Sequence, residues 1–192
     1  WESPLPHDAY EIAVKRIRGY IAAGDTYQVN FTFRQRFAFR GDPGAYFGDL
    51  CRAQKAPFCA HLDLGRFQIL SASPELFFEL RHGLLTCRPM KGTAPRGRWR
   101  SEDEQLKTRL AESEKERAEN LMIVDLLRND LGMVAETGSV QVESLFAVET
   151  LETVHQMTST ITARLRAGVD LPELFRALFP CGSITGAPKK RS

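Results

Sequence analysis

Four short strand-like runs follow one another between residues 57 and 89 with only turns between them, and this succession is the strongest constraint on the fold. They cover 57–63, 66–72, 76–81 and 84–89, and "RHG" (81–83) turns the chain before the last of them. Upstream, "TYQVNFTFRQRFAF" (26–39) alternates strictly. Tyr27, Val29, Phe31, Phe33, Phe37 and Phe39 point one way, and Gln28, Asn30, Thr32, Arg34 and Arg36 the other. This predicts a half-buried strand of an antiparallel sheet, whose polar face is either solvated or lines a site. "GSVQVESLFAVET" and "ETVHQMTSTITARL" read as further strands. Strands that come in runs, without regular strand–helix alternation, predict an α+β fold of antiparallel β-sheets packed with helices.

Helical periodicity fills the gaps. Ile12, Ala13, Ile17, Tyr20 and Ile21 share a face over 9–25, with Gly24 closing the helix. Asp42 and Pro43 open a second helix. "GTAPRGRWR" reads as a loop leading to Ser101, which forms a capping box with Glu104 for a helical region running to about 130. Leu121, Val124, Leu127 and Leu131, with Met122 or Ile123, supply its buried stripe. Asp170 caps "LPELFRALF", which Pro180 ends. There are no repeats and no convincing linker, so one domain is expected.

The 192 residues are 43% hydrophobic and 26% charged, enough for a sizeable core. A net charge of +2 gives no global basic field of the kind nucleic-acid binders show. "RGRWR" (96–100) and "KKR" (189–191) are more simply solvated loops or an attraction for a dicarboxylate. No apolar stretch approaches the roughly 20 residues of a membrane span. The four cysteines show no CxxC and read as reduced cytosolic thiols, so a cytoplasmic protein is expected. The chain starts at Trp1 and stops at "APKKRS", where a helix is about to begin, so a piece of a longer protein is expected.

Four stretches carry chemistry. In "EKERAENLMIVDLLRND", Glu116 and Glu119 share a helix face. They are either a solvated charged face or a carboxylate pair for a hard cation such as magnesium. In "ETVHQMTSTI", His155 shares a strand face with Met157 and Ser159 and is either a core histidine or a site histidine. In "PCGSITGAPKK", Gly182, Ser183 and Gly186 form a turn that is purely structural or offers backbone N–H groups to an anion. Glu75, in "SPELF", and Lys91, in "RPMKGT", form an acid–amine pair if both face one cavity. A lysine attacks carbon only as the free amine, which burial and nearby cations favour.

The order "GDTYQVN", "SPELF", "PMKGTAPR", "EKERAENLMIVDLLRNDLG", "VHQMTS", "GSITGAPK" resembles the chorismate-utilising enzymes over nearly the whole chain. Component I of anthranilate synthase and of aminodeoxychorismate synthase belong to that family. The resemblance implies that 1–192 is the central part of a chorismate-binding catalytic domain lacking its N- and C-terminal portions, members running to roughly twice this length. Anthranilate synthases typically read "PIAGT" and aminodeoxychorismate synthases "PIKGT", so "PMKGT" is similar to the latter. Gln28 agrees: members that use water typically carry a general-base lysine there, and an amide cannot take a proton from water.

The implied reaction is amination of chorismate at ring carbon 4 through a covalent Lys91 intermediate, with Glu75 as acid. Ammonia is expected from a glutamine amidotransferase partner or fused domain. The resemblance implies magnesium on Glu119, with Glu116 nearby, and substrate contacts from Gly92 and Thr93. It also implies a site role for His155, and a carboxylate seat at Gly182, Ser183 and Gly186. Anthranilate synthase and a fragment without turnover are the alternatives.

Overall fold

One strand, the 11 residues Val154–Arg164, carries most of the sheet's pairing. The computed structural model describes residues 5–189. In chain order its elements are α1 (His7–Ala22), β1 (Gln28–Val29), α2 (Pro43–Gln54), β2 (Phe58–Asp63), β3 (Gln68–Ser73), β4 (Leu76–Arg81), β5 (Leu84–Arg88) and β6 (Met90–Pro95). Then follow α3 (Arg100–Glu112), α4 (Glu114–Gly132), β7 (Gln141–Thr150), β8 (Val154–Arg164), α5 (Leu171–Leu178), α6 (Gly182–Thr185) and β9 (Gly186–Ala187). This is the expected α+β class with antiparallel sheets. No helix among the described residues is long and apolar enough to cross a membrane.

Where the sequence suggests one domain, the contacts cluster in two units. The first comprises Trp1–Val14 and Thr32–Leu76. Its α2 packs on the β2–β3 hairpin, paired from Phe58↔Ser73 to Asp63↔Gln68. Asp42 caps α2 as expected, its Oδ1 accepting from the Ala45 N–H at 2.7 Å.

The second unit comprises Lys15–Phe31 and Phe77–Ser192. β7 pairs with β8 over nearly its whole length, from Gln141↔Thr162 to Thr150↔His155. β5 and β6 pair with β8 in succession, β5 over Leu84↔Arg164 to Cys87↔Ile161 and β6 over Met90↔Thr158 to Pro95↔Val154. Leu85, Cys87, Ile161 and Ala163 meet Ile123, Val124, Leu127 and Leu131 of α4, and Leu174, Ala177 and Leu178 of α5, in one core. Burial there pushes the Cys87 thiol up to about 12.

Several expectations fail for identifiable reasons. Of the alternating run 26–39 only Gln28 and Val29 join a strand, and Phe31, Phe33, Phe37 and Phe39 are exposed. Alternation permits a strand, but the ladder needs a partner, and β9 pairs with only two residues. The expected loop after Lys91 begins as strand, because β6 continues to Pro95. The expected Ser101 capping box is absent: α3 starts at Arg100 after Trp99, which makes no side-chain cap. The long helical region instead divides at Ser113, whose Oγ accepts from the Glu116 N–H and opens α4. Leu121 is exposed; the buried phase of α4 runs Asn120, Ile123, Val124, Leu127, Asp130, Leu131.

Lys189, in the cluster read from sequence as a solvated loop or an attraction for a dicarboxylate, is instead largely enclosed, its side chain 14% exposed. Its ammonium donates to Asp130 Oδ2 at 2.9 Å and to the Ala177 and Leu178 carbonyls at the end of α5. Lys190 and Arg191 lie outside the described residues. Burial pushes the Asp130 carboxyl up from its ordinary value, and the lysine opposes that shift. Removing one partner of such a pair strands the other charge, so Lys189→Met should cost about 3–5 kcal/mol. Adding Asp130→Leu should recover most of that loss. Denaturant unfolding checks both; equal stability of Lys189→Met and wild type would contradict the reading.

Candidate active site

Lys91 sits on a β-bulge. From Met90↔Thr158 to Thr93↔Gln156, β6 advances one residue more than β8. Gly92 supplies the positive φ of 103° that the bulge requires. Bulges re-aim side chains, and here the Lys91 amine reaches the Ser183 carbonyl at 3.1 Å. A Cβ on Gly92 would stand 3.1 Å from Met157 Cβ, 3.2 Å from Glu116 Cβ and 3.3 Å from Glu116 Oε2. The glycine therefore also keeps room beside the Glu116 carboxylate.

The β1–β9 ladder, Gln28↔Ala187 and Val29↔Gly186, brings the polar side of the first run to the same place. Asn30 Nδ2 donates to the Ser183 carbonyl at 2.8 Å, and Gln28 Nε2 donates to Asn30 Oδ1 at 3.2 Å. Gln28 Oε1 is buried without a hydrogen-bond partner among the described residues. Lys91, Asn30 and Gln28 thus form one chain centred on a single carbonyl.

That carbonyl belongs to the glycine turn. Ile184 and Thr185 donate their N–H groups to the Cys181 carbonyl, and Gly186 donates to Gly182. The turn therefore presents an acceptor to Lys91; the sequence left it as purely structural or as N–H donors for an anion. Gly182 is dictated by contact: a Cβ there would fall 1.8 Å from Leu126 Cδ2 on α4.

Glu116 and Glu119 stand on the first two turns of α4, their side chains 24% and 41% exposed. Lys115 Nζ lies 3.4 Å from Glu116 Oε1 and 3.7 Å from Glu119 Oε1, and the two carboxylates raise the lysine's pKa. Among the described residues no group of three His, Cys, Asp or Glu could hold a metal. The Glu116 carboxylate, beside the space Gly92 leaves, and Glu119 on the next turn are hard oxygen donors of the kind that fit a magnesium ion which keeps waters or takes further oxygens from a substrate.

His155 is fully buried on β8, but neither ring nitrogen turns toward Lys91. Its Nε2 lies 2.9 Å from Asp103 Oδ1 and its Nδ1 3.1 Å from Thr150 Oγ1. An ionised carboxylate only accepts, so Nε2 carries the hydrogen. Arg96 grips Asp103 bidentately, at 2.8 Å on each oxygen, and the Gly97 N–H adds a third bond. Led by Arg96, these bonds hold the Asp103 carboxyl well below the usual carboxylate range. Thr93 is exposed and donates to Gln156 Oε1. Glu75 lies in the other unit, immediately before β4, its N–H bonded to Ser73 Oγ.

Sequence reading placed Asn30 only on a polar face that either was solvated or lined a site, and it missed Asp103 and Asn120. Of the two missed residues, Asn120 left a signal: it is a polar residue in the buried phase of an amphipathic helix.

The family model for chorismate binding enzyme matches residues 1–192, and the chain belongs to that family. It is 48% identical over 192 residues to aminodeoxychorismate synthase component 1 of Klebsiella aerogenes, covering 100% of this chain and 43% of that protein. It is 40% identical to anthranilate synthase component 1 of Aquifex aeolicus (strain VF5), covering 100% of this chain and 39% of that protein. Among solved structures, anthranilate synthase component I from Streptococcus pneumoniae TIGR4 superposes with a TM-score of 0.84 at 32% identity, covering 99% of this chain and 42% of that one. The chain spans less than half the length of these relatives.

The Asp103 network predicts a pH dependence. The folded carboxyl titrates below an unfolded aspartate, whose pKa is about 3.9. Its stabilisation is therefore complete above that unfolded value and lost as pH falls through the folded one. Asp103→Asn should lower the melting temperature at pH 7, and the difference should close as pH falls below about 4. A difference constant from pH 7 to pH 2 would contradict this origin.

Proposed function

We propose that the protein of which this chain is a part aminates chorismate at ring carbon 4, giving 4-amino-4-deoxychorismate. The observation that carries this reading is the bulge that aims the Lys91 amine at the Ser183 carbonyl, beside the Gln28–Asn30 amides. The 48% identity to a protein named aminodeoxychorismate synthase component 1 supports it.

The Lys91 nitrogen attacks ring carbon 2. The double bonds shift and the 4-hydroxyl, protonated by a general acid, departs as water. Ammonia then adds at carbon 4, the double bonds shift back, and the bond between carbon 2 and Lys91 breaks to return the free amine. The balance is one ammonia in and one water out. One hard displacement becomes two easier ones. Gln28 cannot act as a base toward water, which favours ammonia as nucleophile.

Gly92 and Thr93 border the substrate, and the Gly182, Ser183 and Gly186 turn borders a substrate carboxylate. His155 and its Asp103 partner stiffen the β6–β8 ladder that carries Lys91. Glu116 and Glu119 would hold magnesium, which when bound neutralises the ring carboxylate and keeps chorismate in register. Ammonia comes from a glutamine amidotransferase subunit or fused domain, a reading the "component 1" of the relatives' names supports. We place the protein in the cytoplasm.

The test is the product made by the full-length protein from chorismate, ammonium and magnesium. A non-aromatic aminated ring is expected; anthranilate would overturn the assignment in favour of the 40% identical relative's reaction. Lys91→Ala should abolish turnover. Glu119→Ala should lower it by at least about 100-fold, with partial recovery at high magnesium. Full activity of Glu119→Ala would remove the metal assignment.

A further inference from the structure

The bulge under Lys91 needs something to hold it, and the sheet ladder is interrupted at that point. The holder is Asn120, fully buried on α4. Its Nδ2 donates to the Lys91 carbonyl at 3.3 Å and to the Met157 carbonyl at 3.5 Å. Its Oδ1 accepts from Ser159 Oγ at 2.6 Å. Ser159 Oγ in turn accepts from the Phe146 N–H at 3.1 Å.

Phe146 is itself irregular. It has a φ of 57° and lies where the β7–β8 register shifts between Ser144 and Ala147. One carboxamide therefore ties two bulges together across β8, one of them bearing the Lys91 amine. An apolar helix residue at position 120 would fill the same core space and satisfy none of these groups. A buried carbonyl or hydroxyl left without its partner is destabilising, so the bulge would relax toward another register or tilt.

We propose that Asn120 is a positioning residue for the Lys91 nucleophile: its carboxamide joins the Lys91 and Met157 carbonyls to the Ser159 hydroxyl and so fixes the direction from which the amine meets the substrate. Asn120 need not touch the substrate; it acts through the Lys91 backbone. The inference rests on Lys91 being the attacking group. Its signature is a loss in the chemical step with substrate affinity retained, because the groups that border the substrate remain. A displacement of about 1 Å is enough to cost about 100-fold in rate.

The test uses the full-length enzyme with chorismate and magnesium. It measures the rate of Lys91 adduct formation without ammonia, and kcat and KM with ammonium. Asn120→Ala should slow adduct formation and lower kcat in proportion, by about 10- to 100-fold, with KM for chorismate changed by less than about threefold. Ser159→Ala, a milder change that frees the carboxamide to turn, should give a smaller loss of the same kind, and stands in if Asn120→Ala does not fold. Val124→Ala, a core truncation on the same helix, serves as the stability control and should leave kcat at the wild-type value.

Wild-type adduct rates in both Asn120→Ala and Ser159→Ala would overturn the inference. So would a loss of kcat in Val124→Ala matching that in Asn120→Ala. Persistence of the adduct in Lys91→Ala would instead overturn the underlying reading, so the two failures are distinguishable.

Discussion

The carbonyl oxygen of Ser183 is the point on which the candidate site depends. It accepts from the Lys91 amine and from Asn30, and through Asn30 it reaches Gln28. Three remote stretches of chain, 28–30, 91 and 183, meet there. The meeting is possible because β9 pairs with β1 and because the one-turn helix α6 lies against α4. Gly182 sets that distance, since any side chain there would occupy the space of Leu126. The Asp130–Lys189 pair then anchors the far end of the segment to α4 and to the end of α5. The hydrogen bond from the amine to the Ser183 carbonyl orients the lysine.

Helix α4 does two jobs with one sequence. Its apolar phase, Ile123, Val124, Leu127 and Leu131, closes the core over β5 and β8. Its first turns carry Glu119, present Glu116 beside the Gly92 gap and insert Asn120 beneath the Lys91 backbone. Ser113 makes this possible, because its cap starts a new helix there and sets the phase of those side chains. The carboxylates, the bulge and the core are consequently all tied to one helix, an arrangement suited to holding reacting groups in fixed geometry.

The class of fold was legible because strand runs joined by turns leave few alternatives to antiparallel sheets, and α2, α5 and the hairpins kept their caps and turns. Lys91, the carboxylate pair and the glycine turn were legible as residue types in a recognisable order. What the sequence hid was pairing and direction. Alternation over 26–39 did not reveal that only Gln28 and Val29 would find a partner. "PMKGT" did not reveal a bulge, because a bulge is a mismatch between two strands and is written in neither alone. The ion pair of Asp130 with Lys189 joins residues 59 apart; Asp130 stands in the buried phase of α4, but nothing local marks Lys189 as its partner. Asn120 was legible only as an anomaly, a polar residue in an apolar phase, whose meaning required the carbonyls above it.

The claim beneath all of this is that the Lys91 nitrogen bonds to ring carbon in the course of turnover. Intact mass of the full-length protein, after incubation with chorismate and magnesium but without ammonia, followed by peptide mapping, tests it most directly. The expected result is one adduct, of the mass of chorismate less one water, confined to the peptide carrying Lys91 and absent from Lys91→Ala. A protein that turns over chorismate and ammonia yet never gains that mass, or gains it on another residue, contradicts the mechanism.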